Sequence, residues 1–186
     1  RDDTIVIFTS DHGEMMGERG MWFKQCFWEW SARVPLVISD GRAAKNIRID
    51  ANSSLVDLLP TFIDFGGQDT ALLLPAIAEL AGHSLMPLLT GDASTAADYV
   101  IADYLAIGPC VPCRMVKKGP YKYIFTHGHP DLLFDLEADP DERVNLAEDA
   151  SNAPILAALR KIGMDSYDPD MLMTKIVASQ RRRSFL

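Results

Sequence analysis

Asp11 and His12 stand side by side in the run Thr9-Ser10-Asp11-His12-Gly13-Glu14, directly after the apolar stretch Thr4-Ile5-Val6-Ile7-Phe8. A carboxylate offers hard oxygen and an imidazole borderline nitrogen, a pair suited to a divalent cation. Lys24 follows inside the aromatic-rich stretch Trp22-Phe23-Lys24-Gln25-Cys26-Phe27-Trp28. A metal pair followed by a lysine in a partly apolar wall is what an anionic ester needs. Taken alone, the Asp-His pair also reads as a capping or turn pair, and Lys24 as a surface charge. Cys110-Val111-Pro112-Cys113 has CxxC spacing, but zinc would need two further ligands and no second CxxC or spaced histidine pair occurs. Strand-like residues follow it where a redox motif would open a helix, so two buried or half-buried thiols are the better reading.

The elements that must position these residues follow from periodicity. Residues 4–8 read as a buried strand, which sets Asp11 and His12 just past its C-terminal end, where open α/β sheets bind ligands. Val34-Pro35-Leu36-Val37-Ile38 is a second short strand before the turn Ser39-Asp40-Gly41. The spacing predicts a helix from Ser53 or Ser54 as N-cap to Gly66-Gly67, with Pro60 starting a new turn or kinking it. Residues 70–82 predict a short helix or an apolar loop, and 82–91 a compact connector with a short helix. From about residue 98 the period changes. Strands are predicted over 99–104, 114–118, 121–126 and 132–136, the middle two forming a hairpin at Gly119-Pro120. Helices are predicted over 153–162 and 169–183, with Pro169 near a first helical position. The fold class is α/β: residues 1–95 belong to an α/β domain and residues 96–186 to a small antiparallel-sheet subdomain with terminal helices.

Composition bounds the partners. The 186 residues are 48% apolar and 24% charged, ordinary for a globular domain. A net charge of -8 argues against nucleic acid, so an anion handled here needs a local positive feature. No apolar run reaches the length of a membrane span. Arg1-Asp2-Asp3 leads almost at once into the first strand without a signal peptide. The chain is therefore expected to be a piece of a longer polypeptide, and cytoplasmic. His83, His127 and His129 read as loop or surface histidines, Arg33 as a structural ion-pair former or a support behind the site, and Arg181-Arg182-Arg183 as the complement of a helix C-terminus.

Five blocks, in order, carry a resemblance. They are Thr9–Glu14 with Lys24; Ser31-Ala32-Arg33-Val34-Pro35-Leu36; Ser54–Thr61; Gly82–Gly91; and Leu133-Phe134-Asp135-Leu136 followed by Asp139-Pro140 through Asn145-Leu146-Ala147. Together they resemble the C-terminal portion of the sulfatases of the alkaline-phosphatase-like superfamily. The stretches Gly17–Lys24, Arg114–Tyr123 and Ala178–Arg183 look most like choline sulfatases, and phosphonate monoester hydrolases share the Asp-His pair.

The resemblance implies a metal-dependent sulfuric ester hydrolase that cleaves a small O-sulfate ester to alcohol and sulfate. Asp11 and His12 would be two ligands of a calcium or manganese ion. Lys24 would be the catalytic and substrate-contacting cation, and Asp103 a substrate contact near a quaternary ammonium. The nucleophile of the family is a formylglycine made from the cysteine of a C-x-P-x-R motif, expected upstream of this chain. Cys110-Val111-Pro112-Cys113-Arg114 matches that pattern literally, yet it follows the Asp-His block and runs into a strand, so it is not expected to be the nucleophile. The fragment alone is then expected to be inactive, and the whole protein a homo-oligomer. A phosphonate or phosphate monoester hydrolase fragment, or a non-catalytic assembly domain, is the alternative.

Overall fold

The computed structural model describes residues 3–41, 46–67, 81–105 and 111–183. Most of the helix or loop expected over 70–82 lies outside the described residues, as does Cys110. The strands are β1 (Val6–Thr9), β2 (Met15–Met16), β3 (Trp22–Phe23), β4 (Leu36–Ser39), β5 (Tyr99–Tyr104), β6 (Cys113–Lys118), β7 (Tyr121–Thr126) and β8 (Leu132–Asp135). The helices are α1 (Glu29–Ala32), α2 (Leu58–Phe65), α3 (Met86–Leu89), α4 (Ala153–Met164) and α5 (Pro169–Arg183). These elements fall into two compact units, Arg1–Asp11 with Pro35–Val100, and His12–Val34 with Ile101–Leu186. Among the described residues no helix is long and apolar enough to cross a membrane. Small antiparallel sheets and a C-terminal helix combine in a mixed α/β architecture.

In the first unit β1 pairs antiparallel with β4, Ile7 facing Ile38. The strand at 4–8 was expected to be buried, but Val6 is 58% and Phe8 64% exposed. Among the described residues β1 and β4 pair only with each other. A two-stranded sheet cannot cover both of its own faces, so every second residue stays open. The helix expected from Ser53 or Ser54 divides between Asp57 and Leu58, two residues before Pro60. A 3-10 turn over Leu55–Asp57 runs into α2, whose first turn holds Pro60, where a missing N–H costs no hydrogen bond. Asp57 caps this entry: its Oδ2 accepts from Ser54 N at 2.7 Å and its Oδ1 from His83 N at 2.9 Å. Thr61 Oγ1 accepts from Leu85 N at 2.9 Å, which seats the 82–91 connector on α2.

In the second unit β5, β6, β7 and β8 form one sheet in that order, with β6–β7 and β7–β8 antiparallel. The β6–β7 turn passes through Gly119 at φ +54, a conformation that favours glycine. Side chains alternate faces along a strand. Val116, Tyr123, Phe125 and Leu133 pack on one side with Leu159 of α4 and with Tyr167. Met115, Ile124 and Phe134 pack on the other with Phe27 and Trp28. The sheet is thus covered on both faces, by α4 and by the segment that follows Lys24.

Candidate functional site

The one-turn helix α1 organises the candidate site from both sides. Gly13 N donates to Ser31 O at 2.8 Å and Glu14 N to Trp30 O at 2.7 Å, which fixes the backbone just after His12. The buried Ser31 hydroxyl donates to Lys24 O, and Cys26 N donates to the same oxygen at 2.7 Å. Lys24 and His12 are therefore tied to the same four residues. Their side chains meet, Lys24 Nζ lying 2.6 Å from His12 Nε2. His12 Nδ1 lies 2.7 Å from Gly13 O, a carbonyl that can only accept, so Nδ1 carries the proton. Nε2 is then the acceptor, holding its lone pair toward the Lys24 ammonium. An imidazole whose Nδ1–H is fixed by a backbone carbonyl is the arrangement in which histidines bind metals.

The backbone around Lys24 is held in costly conformations. Gly17 (φ +115), Arg19 (φ +55), Gly20 (φ +69) and Phe23 (φ +72) all occupy the left-handed region. Non-glycine residues there cost about 1–3 kcal/mol each and persist only where surrounding contacts over-determine them. A buried ion cluster supplies such contacts. Lys122 on β7 is 1% exposed, and its ammonium meets Glu29 Oε1 at 2.5 Å and Glu142 Oε1 at 2.9 Å while donating to Phe27 O at 2.9 Å. Glu142 Oε2 accepts from Glu29 N at 2.7 Å, so this carboxylate sits over the start of α1. Arg19 donates to the carbonyls of Asp141 (2.9 Å) and Glu142, and its guanidinium lies 3.8 Å over the Trp28 ring. Glu142 itself stands at φ +56. Arg33 reaches Glu29 at 3.8 Å, the ion pair expected of it. Burial pushes the nearby Lys117 ammonium down, and the Glu29 carboxylate opposes that shift.

Asp103, on β5, holds Arg114 with both carboxylate oxygens, each 2.7 Å from a guanidinium nitrogen. Arg114 also donates to Gly163 O at 2.9 Å and lies 3.7 Å over the Tyr167 ring. This cluster ties β5 and β6 to the end of α4. The Tyr167 hydroxyl is buried, and burial raises its pKa, with the Asp103 carboxylate adding to the rise. Burial likewise raises the Cys113 thiol, and Cys26 is half-buried. Asp11 is an exposed carboxylate at the end of the first unit's opening segment, next in sequence to His12. Among the described residues no three of His, Cys, Asp and Glu gather as metal ligands. By donor chemistry alone, a carboxylate oxygen and an imidazole nitrogen are each ligand types that a divalent cation takes.

Spacing assigned no role to Glu29, Ser31, Lys122 or Glu142. The signal for Lys122 was present: it interrupts Tyr121-Lys122-Tyr123-Ile124-Phe125, a strand apolar on both faces, where a lysine must be buried and therefore paired.

The family described as N-sulphoglucosamine sulphohydrolase, C-terminal, matches residues 17–166. A choline-sulfatase of Rhizobium meliloti (strain 1021) is 38% identical over 186 residues, covering 98% of this chain and 35% of that protein. Two solved structures superpose well: a 2-O GAG sulfatase, at 30% identity and TM-score 0.76 over 97% of this chain and 38% of the other, and a phosphonate monoester hydrolase from Silicibacter pomeroyi, at 27% identity and TM-score 0.72 over 89% and 36%. The chain spans about a third of the length of the curated relatives it matches.

Proposed function

The chain belongs to the sulfatases, matching their C-terminal region, and from that premise we propose that the whole polypeptide hydrolyses an O-sulfate ester to an alcohol and inorganic sulfate. Water is consumed, the S–O bond to the alcohol breaks, and the alcohol leaves with a proton. The observation that carries this reading is the 2.6 Å approach of Lys24 Nζ to His12 Nε2. It brings the ammonium and the imidazole to one place: a cation bound at Nε2 would take the position that the ammonium holds here, and the displaced ammonium would remain within reach of the sulfate oxygens, which need positive charge from more than one direction.

Asp11 and His12 would hold a divalent cation, calcium or manganese, with the remaining ligands upstream. Such an ion, when bound, acts as a Lewis acid on the sulfate oxygens. The Lys24 ammonium would contact those oxygens or the leaving oxygen, stabilising charge that grows toward the transition state. The Gly13 carbonyl keeps the His12 proton on Nδ1. The nucleophile would be a formylglycine outside this chain, so residues 1–186 alone would not turn over. Likeness to a choline-sulfatase supports choline sulfate as the ester. Asp103 would approach its ammonium only while sharing its carboxylate with Arg114. The phosphonate monoester hydrolase structure favours a second reading, in which the same groups serve a phosphonate or phosphate monoester.

The test is hydrolysis of choline sulfate, an aryl sulfate and an aryl phosphonate by the whole polypeptide, with and without Lys24→Ala. Sulfate esters are expected to be cleaved best, and Lys24→Ala to lower kcat by about 100-fold or more, the scale for losing one charge-stabilising donor. No turnover of any sulfate ester sinks the proposal; so does a Lys24→Ala variant with unchanged kcat, or turnover by residues 1–186 alone.

A further inference from the structure

We propose that Lys122 and Glu142 are positioning residues for Lys24, acting through α1 from the opposite end of the sequence. The proposal rests on the reading of Lys24 as the anion-contacting residue. Every link is a direct contact. Lys122 Nζ, on β7, holds Phe27 O and Glu29 Oε1, while Glu142, in the segment after β8, holds Glu29 N, so the approach to α1 is fixed at two points. Ser31 then hands that position to Lys24 through its hydroxyl and to Gly13 through its carbonyl. Arg19, bonded to the backbone of Asp141 and Glu142, pins the loop before Lys24 to the same place.

Three observations favour a positioning role over simple packing. A four-residue helix has no stability of its own, so its location must come from tertiary contacts. Lys122 and Glu142 are 1% and 2% exposed, and an ion pair so deeply buried gives little net stability but a defined geometry. Of the five non-glycine residues at positive φ among the described residues, Arg19, Phe23 and Glu142 lie in this cluster or beside Lys24.

The experiment is NMR on isotope-labelled chain 1–186, reading the NOE between the Lys24 Hε methylene and the His12 ring. The cross-strand pairs Met115–Ile124 and Val116–Tyr123 report on the sheet. In Glu142→Gln and Lys122→Met the Lys24–His12 NOE is expected to fall to about half or less while the sheet signals persist, because a freed loop spreads over several conformers. Lys122→Arg, which keeps charge and donors, should recover it. Should Lys122→Met lose the sheet, the double variant Lys122→Met/Glu142→Met, which removes both deeply buried charges and leaves Glu29 its ion pair with Arg33, is read the same way. A wild-type NOE in the folded variants overturns the proposal. So does loss of the sheet in every variant, since the cluster would then hold the fold and not the loop. Because the readout needs no turnover, a polypeptide inactive on sulfate esters leaves this result standing, and a failed NOE test leaves the hydrolase reading standing.

Discussion

Gly13→Ala should be among the most damaging single-methyl additions in this chain. A Cβ at Gly13 would lie 2.0 Å from Trp30 O and 2.9 Å from Trp30 C. Both are backbone atoms of α1, so no side chain can swing aside. Gly13 is not at positive φ, so the cost is purely steric. Relief requires parting the 12–14 segment from α1, which breaks Gly13 N to Ser31 O and Glu14 N to Trp30 O. Two hydrogen bonds at about 1 kcal/mol each plus about 1–3 kcal/mol of overpacking give about 3–5 kcal/mol. With a urea m-value of about 1.5 kcal/mol/M, the midpoint should fall by about 2–3 M. The three tryptophans, Trp22, Trp28 and Trp30, all belong to the second unit, so their fluorescence during urea unfolding reports on the unit that holds His12 and Lys24. A midpoint shift below about 0.3 M, or about 0.5 kcal/mol, would refute the steric argument.

Two further outcomes are expected. Asp149 accepts from Ser151 N at 2.9 Å and Ser151 Oγ at 2.8 Å, and these bonds hold its pKa below the 3.8 of a free aspartate. A carboxylate depressed by folding stabilises above its unfolded pKa and loses that contribution as pH falls through its folded value. The wild type should therefore exceed Asp149→Ala in stability at pH 6, and the gap should close below about pH 3.8; a gap that stays constant down to pH 2 by urea titration contradicts the role given to these two hydrogen bonds. Iodoacetamide mapped by mass spectrometry should label Cys26 faster than Cys113, since Cys113 is buried and burial raises its thiol pKa. Equal labelling rates in the folded chain would show that the sheet face under Phe27 is open.

The second unit was legible where local pattern and burial agree. Strands β5 to β8 alternate with turn signals at fixed places, and α4 and α5 carry proline starts, so each could be placed from period alone. The first strand was legible as a strand but not in its exposure, because Val6 and Phe8 are apolar whether or not anything covers them. The two-residue strands β2 and β3 and the single turn α1 carry too few residues for any periodicity. The site divides the same way. His12 and Lys24 stand in recognisable blocks, and their side chains do meet. Ser31, Lys122 and Glu142 lie in such blocks too, but their role depends on contacts across as many as 123 positions, which no local window contains.

These contacts change what the small sheet is for. A charged cluster under a loop is an expensive way to gain stability, since desolvating Lys122 and Glu142 offsets most of their attraction. Apolar residues of similar volume would hold Phe27 and Trp28 against Ile124 and Phe134 at least as firmly. What they would lack is the set of directed bonds that ties the segment to named atoms. The ammonium of Lys122 accepts only one arrangement of Glu29, Glu142 and Phe27 O, and that arrangement fixes α1 to the resolution of a hydrogen bond. Lys24 hangs from α1 by Ser31, and His12 by Gly13. The sheet and the segment that follows β8 are therefore the ruler against which the lysine and the imidazole are set, and Lys122 of the one and Glu142 of the other trade stability for that precision.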